Sequence, residues 1–302
     1  MLDRNVVVTS EGSLRILPGT EVFYVERSVC EWTPAGRIWV EPEIQVRGRV
    51  LCQGTQDSMI VFTGGDEYFG RSLSIYSAES LVGDSVVEWA DLGFVQWGGG
   101  NPILKHSRVT DLGLHSCGEI LIEDCAFIGR LGVHGGGTGV IRGSEFVSGM
   151  SLYDDRLHIT ENVFSGVASS YWGAIRVNAD SRSLITWNLF EDCNIAVGIY
   201  SGTPELHHNN FVDNGCNISV IAEPLPVETD TLDARENWWG TTDEPEILAG
   251  IHYEERDGYY SGKTVLHSPF ALEPFDLPHP REVQATTKTS VWDGSETEEA
   301  MP

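Results

Sequence analysis

Apolar and polar positions along the middle of the chain recur in one short cassette. Its copies are Ser85 to Leu92, Pro102 to Val109, Ile120 to Phe127, Gly139 to Phe146, Leu157 to Phe164, Ser183 to Phe190, Pro204 to Phe211 and Leu232 to Trp239. The third position is apolar in every copy: Val87, Leu104, Ile122, Ile141, Ile159, Ile185, Leu206 and Ala234. So is the eighth, with Leu92, Val109, Phe127, Phe146, Phe164, Phe190, Phe211 and Trp239. The sixth is small or amide-bearing: Ala90, Ser107, Cys125, Ser144, Asn162, Asn188, Asn209 and Asn237. Eighth positions are separated by 17, 18, 19, 18, 26, 21 and 28 residues, so the connecting loops vary while the cassette does not.

A period near twenty residues with one short β-rich stretch and no helical periodicity predicts a solenoid of parallel strands. Stacked rungs lie about 4.8 Å apart, so equivalent positions form ladders. The third and eighth positions are expected to point inward, removing apolar surface from water. The sixth is expected at a bend, where an inward Asn satisfies buried backbone and the Asn of the next rung. Neither the L-x-x-L-x-L pattern of a leucine-rich repeat nor the longer period of a propeller blade is present.

With this cassette, the chain resembles the right-handed parallel β-helix family, which includes pectate-lyase-like, carbohydrate-binding and sugar-hydrolysis domains. The likeness runs from about residue 5 to about 275. It includes the opening segments Leu14 to Val22, Gly48 to Thr55 and Met59 to Thr63, and the closing segment Glu236 to Ile247 with Ile251 to Glu254 and Ser268 to Phe270. The resemblance implies an all-β, single-stranded right-handed parallel β-helix of about ten coils. A short capping helix is expected near Asp243 to Gly250, which opens with Asp, Glu and Pro as a helix N-terminus does. Residues 1–280 form one domain in this reading, with residues 1–30 covering one end. Residues 281–302, polar and acidic, read as a disordered tail or linker. The resemblance also implies an extracellular or cell-surface location, although Met1 to Val8 is too short and too acidic for a signal peptide.

Charge narrows the function classes. Forty-five acidic residues against nineteen basic ones leave a net charge of −26, which argues against nucleic acid and anionic lipid as partners. It also opposes direct capture of polyanionic glycans unless divalent cations bridge the carboxylates. No motif supports Ca2+ or any other cofactor, and there is no transmembrane run. The six cysteines contain no C-x-x-C pair, so metal binding has little sequence support, and disulfide pairings remain open. Cys125 stands in the sixth column, where a small residue filling a bend is expected.

Candidate chemistry falls on outward positions and loops. In the fourth column Glu88, Lys105, Glu123 and Arg142 alternate in sign, predicting ion pairs between adjacent rungs. The fifth column carries Trp89, His106, Asp124, Gly143, Glu161, Trp187, His208 and Glu236. There Trp89, His106, Trp187 and His208, with Trp172 from a long loop, are candidate sugar contacts, because a pyranose face stacks on an aromatic ring while carboxylates accept its hydroxyl protons. The alternative is that these side chains pack on one another at the corner. Asp154, Asp155 and Arg156 are the candidate catalytic group, two carboxylates and a guanidinium in one loop; adjacent Asp residues also serve simply as turn residues. His134 to Gly137 reads as a tight connection. The long loops 166–182 and 218–232 are where a solenoid carries binding surface. The favoured function is a non-catalytic exported or cell-surface module that binds polysaccharide, cell-surface glycan or another partner, or serves as a rigid spacer. The alternative is a polysaccharide lyase or glycoside hydrolase; fold alone does not separate them.

Overall fold

The computed structural model describes residues 6–24, 29–33, 36–40, 43–64, 72–76, 84–169, 173–221, 231–254 and 263–277. Strands dominate, and almost all of them pair in parallel. A first face is an eleven-stranded parallel sheet running from Ser13–Ile16 to Thr264–Leu266, to which each cassette contributes its opening residues. In it Ser85–Glu88 lies in register on Pro102–Lys105, and Thr138–Arg142 on Arg156–Thr160. The second face takes the end of each cassette in strands as short as Ala126–Phe127 and Glu145–Phe146. The third face runs through Leu131–His134, Met150–Tyr153, Ile175–Asn178, Val197–Ile199, Ile218–Ile221 and Ile251–Glu254. Two longer strands, Ala90–Gly98 and Arg108–His115, bend through both the second and the third face. This is an all-β solenoid of long parallel sheets. An antiparallel pair, Val29–Thr33 with Gly36–Val40, departs from the pattern, and a six-residue helix spans Glu244–Ala249 with Pro in its first turn and Ile247 buried.

The interior follows the columns. All eight residues of the third position and all eight of the eighth are buried. The eighth column is a stack of rings: Phe127, Phe146, Phe164, Phe190, Phe211 and Trp239 follow one another with centroids 4.7, 4.8, 4.9, 5.1 and 5.0 Å apart. Rung spacing sets that distance, so each ring covers the next. Removing one ring from such a stack costs about 3–5 kcal/mol.

The bend is sharper than the sequence suggests. The fifth residue turns the corner alone, in the left-handed region, with φ from 48° at His106 to 61° at Glu236 and at Gly143. Side chains other than Gly adopt this conformation at a cost of roughly 1–2 kcal/mol each. Hydrogen bonds between rungs offset it: Trp89 N donates to Lys105 O at 3.1 Å and His106 N to Glu123 O at 3.0 Å. The sixth residue then fills the inside of the corner. From Asn162 onward each Asn Nδ2 donates to the Oδ1 of the next, at 3.0 Å for Asn162 to Asn188, Asn188 to Asn209 and Asn209 to Asn237. The same amides donate to the carbonyls of Ile141, Ile159 and Ile185. The expected amide ladder is therefore present. Cys125 fits its column as expected, its thiol donating to Leu104 O and Glu123 O. The five cysteines whose side chains are described, Cys52, Cys117, Cys125, Cys193 and Cys216, are buried free thiols. Burial pushes Cys125 up to about 12 and Cys193 up to about 11.

No described helix is long and apolar enough to cross a membrane. The expected tail, residues 281–302, lies outside the described residues.

Candidate functional site

Because the fifth residue turns left-handed, its side chain is thrown outward, and stacking of rungs lines these side chains up along one corner. Trp89 and His106 stack with centroids 4.5 Å apart, and Trp187 and His208 with 4.6 Å. Each imidazole then meets a carboxylate one rung further on: His106 Nδ1 lies 3.6 Å from Asp124 Oδ2, and His208 Nε2 lies 3.4 Å from Glu236 Oε2. Of the two arrangements open in the sequence, the packing of these side chains on one another at the corner is seen, and they do so on the outside of the bend. Beside them the fourth column pairs Lys105 Nζ with Glu123 Oε2 at 3.0 Å and Arg142 Nε with Glu123 Oε1 at 2.8 Å. Glu123 is held below the usual carboxylate range, first by its hydrogen bond from Lys105 and then by Arg142. Among the sequence-predicted contacts, Trp172 lies outside the described residues.

The candidate catalytic group separates. Asp154 turns a corner at φ 57°, is exposed, and accepts a hydrogen bond from Asp180 N at 3.1 Å. The reversal buries its neighbour completely. Asp155 Oδ1 accepts from Ser181 Oγ at 2.9 Å and from Ser183 Oγ, bridging two rungs, and burial raises its carboxyl pKa against the lowering effect of those bonds. Arg156 is exposed and opens a first-face strand. Asp155 therefore ties rungs together from the inside, and the three residues do not converge on a shared surface.

The sequence missed a second surface, on the outside of the third face. His115, His134 and Tyr153 are in register on successive rungs. Their rings form a ladder, with 5.1 Å between His115 and His134 at 8° and 4.4 Å between His134 and Tyr153 at 21°. Gly132 allows His134 to lie flat, because a Cβ there would stand 2.9 Å from its Nε2. His115 Nε2 donates to Gln96 Oε1 at 2.7 Å in the tautomer that makes this hydrogen bond. One rung past Tyr153, the Arg176 guanidinium lies 6.0 Å from the Tyr153 ring and 4.2 Å from the Tyr200 ring. Burial, then the neighbouring His115, lowers the pKa of His134, which favours its neutral form.

Beside these rings the same register position holds Gln45, Ser74, Gln96, Ser151, Arg176, Ser219 and His252, interrupted by Gly113, Gly132 and Gly198; Ser74 and Ser219 are buried, their hydroxyls donating to Glu43 and Glu254. The signal was present as equal spacings of nineteen residues between His115, His134 and Tyr153. It lies outside the cassette, across a loop. Among the described residues no group of three His, Cys, Asp or Glu side chains is placed to hold a metal ion.

Comparison of the chain with protein-family models, with curated proteins and with solved structures gave no match. The class of protein rests on the fold and these surfaces: an all-β solenoid of parallel strands with two outward ladders of rings.

Proposed function

We propose that this chain is a non-catalytic β-helical module that binds a neutral glycan along its third face. In this reading the solenoid is a right-handed parallel β-helix of about ten coils closed by the helix Glu244–Ala249, and it is exported or displayed at the cell surface, as the resemblance implies. One observation carries the reading: the register that aligns the rings of His115, His134 and Tyr153 on the outside of the third face, with Gln96 and Ser151 on the rungs beside them. The ladder turns the ring edges outward, where the imidazoles, the Tyr153 phenol and the side chains of Gln96 and Ser151 hydrogen-bond sugar hydroxyls. The net charge of −26 selects neutral polysaccharides over polyuronates. Binding to an array of neutral glycans, lost in Tyr153→Ala and His134→Ala and unaccompanied by turnover, is the expected result. Absence of any glycan bound at this face would leave the spacer reading.

A second reading, a polysaccharide lyase, is favoured by one feature. His134, biased toward its neutral form, stacks on Tyr153, and the Arg176 guanidinium lies 6.0 Å from the Tyr153 ring on the next rung: a base, and a cation to partner a uronate carboxylate, for β-elimination. Release of unsaturated uronate products by the parent chain and not by His134→Ala would establish it in place of the first.

A further inference from the structure

The corner ladder carries one order of side chains twice, tryptophan, histidine and carboxylate on three consecutive rungs. Trp89, His106 and Asp124 form the first set; Trp187, His208 and Glu236 form the second. Their ring separations differ by a tenth of an ångström. Their surroundings differ much more. A segment of this same chain lies across the second set, and Phe275 sets its ring edge-on against Trp187 at 5.2 Å and His208 at 5.6 Å. Asn210 reads the main chain of that segment in both directions, Nδ2 donating to Phe275 O at 2.8 Å and Oδ1 accepting from Phe275 N at 3.0 Å. Two residues on, Leu277 is buried against Val163 and Leu189. Among the described residues, the rings of Trp89 and His106 make no ring contact except with each other.

The second corner thus displays how this constellation receives an extended peptide. An aromatic ring meets the edge of the indole and imidazole stack, a side chain two residues after the histidine holds the peptide main chain, and the peptide's next inward residue lands on the seventh column. At the first corner the counterpart of Asn210 is Arg108, and the counterpart of Leu189 is Asp91. Arg108 Nη1 lies 3.3 Å from Asp91 Oδ2, and both side chains are about one-third exposed, at 38% and 32%. Arg108 Nε is buried with no hydrogen-bond partner among the described residues. The pair supplies a donor for a main-chain carbonyl and an acceptor for an amide, as Asn210 does alone. A carboxylate where the second corner has leucine favours a cation in place of Leu277, and the net charge of −26 attracts cationic segments.

We propose that the corner formed by Trp89, His106, Asp91 and Arg108 is a docking site for an extended peptide segment of a partner protein, carrying an aromatic residue followed two residues later by lysine or arginine. The covered corner is its occupied counterpart within the same chain. This inference is independent of the glycan reading, which concerns the third face.

The test is calorimetric titration of the full chain with acetyl-Glu-Pro-Phe-Ala-Lys-amide, with the same peptide carrying Leu for Lys, and with one carrying Ala for Phe. Expected are saturable binding of the first, binding weaker by several-fold for the second and none for the third, with affinity falling as salt is raised. Trp89→Gly keeps the left-handed corner, as Gly143 does in the same column. It should weaken binding by about tenfold or more, and so should Arg108→Ala; Trp187→Gly should leave it unchanged. Circular dichroism of each variant confirms that it is folded. The proposal is overturned by failure of the first peptide to bind, by binding indifferent to Trp89→Gly and Arg108→Ala, or by a neutral glycan whose binding is lost in Trp89→Gly and kept in Tyr153→Ala.

Discussion

The corner shared by every rung is finished differently in the two halves of the molecule. In the C-terminal half, Asn162, Asn188, Asn209 and Asn237 form a continuous chain of amides inside the bend, and a segment of the polypeptide covers the rings outside it. In the N-terminal half the inner positions are Ala90, Ser107, Cys125 and Ser144, and among the described residues the rings of Trp89 and His106 meet no third ring. The backbone hardly registers the change, since φ stays between 48° and 61° throughout. The left-handed turn therefore does not require asparagine. Where the sixth-position N–H finds an acceptor on the next rung, a serine provides it as well: Ala90 N donates to Ser107 Oγ and Cys125 N to Ser144 Oγ, each at 3.1 Å. Asparagine adds a donor, and the donor joins one rung's side chain to the next.

The largest expected effect comes from cutting the amide chain. Asn188→Ala removes the acceptor of Asn162 N and Nδ2 and the donor to Ile159 O, all buried. Leaving such groups unpaired costs roughly 3–5 kcal/mol in total, so the guanidinium midpoint should fall far below that of the parent. A loss no larger than that of a serine in the other half would show that the amides are not coupled. Phe275→Ala comes next. It strips the second corner of its edge-on ring and loosens Leu277 from Val163 and Leu189, at about 1–3 kcal/mol, and hydrogen exchange at the Asn210 side-chain amide should quicken. Ser144→Ala, in the N-terminal half, leaves Cys125 N without its acceptor at about 1–2 kcal/mol. The ratio of its midpoint shift to that of Asn188→Ala measures how much the second function of the amide contributes.

Acid–base behaviour gives the smallest and most discriminating contrast, because the two halves carry carboxylates shifted in opposite directions. Glu123, in the N-terminal half, has its pKa lowered. Its stabilisation is present above the unfolded value of about 4.3 and is lost as pH falls through its folded pKa. Asp155 has its pKa raised. Its contribution is present below the unfolded value of about 3.9 and is lost as pH rises through its folded pKa. Glu123→Gln should therefore flatten the acid-side decline of stability, and Asp155→Asn should flatten the loss that begins above the unfolded value. A pH series of denaturant midpoints for the parent and both variants reads the two limbs separately.

Legibility in the sequence followed the inside of the rod. The third, sixth and eighth columns were readable because each rung demands the same kind of residue for the same reason. The charge alternation of Lys105, Glu123 and Arg142 was readable too, since it runs through adjacent cassettes of nearly equal length. Asp154 and Asp155 mark where this ended. They are adjacent and chemically identical, yet a left-handed residue leaves the first exposed and the second wholly buried. The ladder of His115, His134 and Tyr153 was missed because the third face lies beyond variable loops, where no column is aligned by inspection. Phe275 meets a tryptophan 88 positions earlier in the chain, and nothing in either local sequence announces the contact.

The amino-acid sequence by itself determined the repeat, the parallel solenoid, the residues of the interior and the acidic balance of the whole. These depend on transfer of each side chain out of water and on satisfaction of each bend, terms that recur rung by rung and leave a periodic mark. Tertiary structure alone decided which outward side chains meet: tryptophan on histidine, imidazole on phenol, and Phe275 against the second corner. Such meetings join residues that the varying loops bring to within about one rung spacing. Their energy belongs to pairs and to register, and neither is written at a single position.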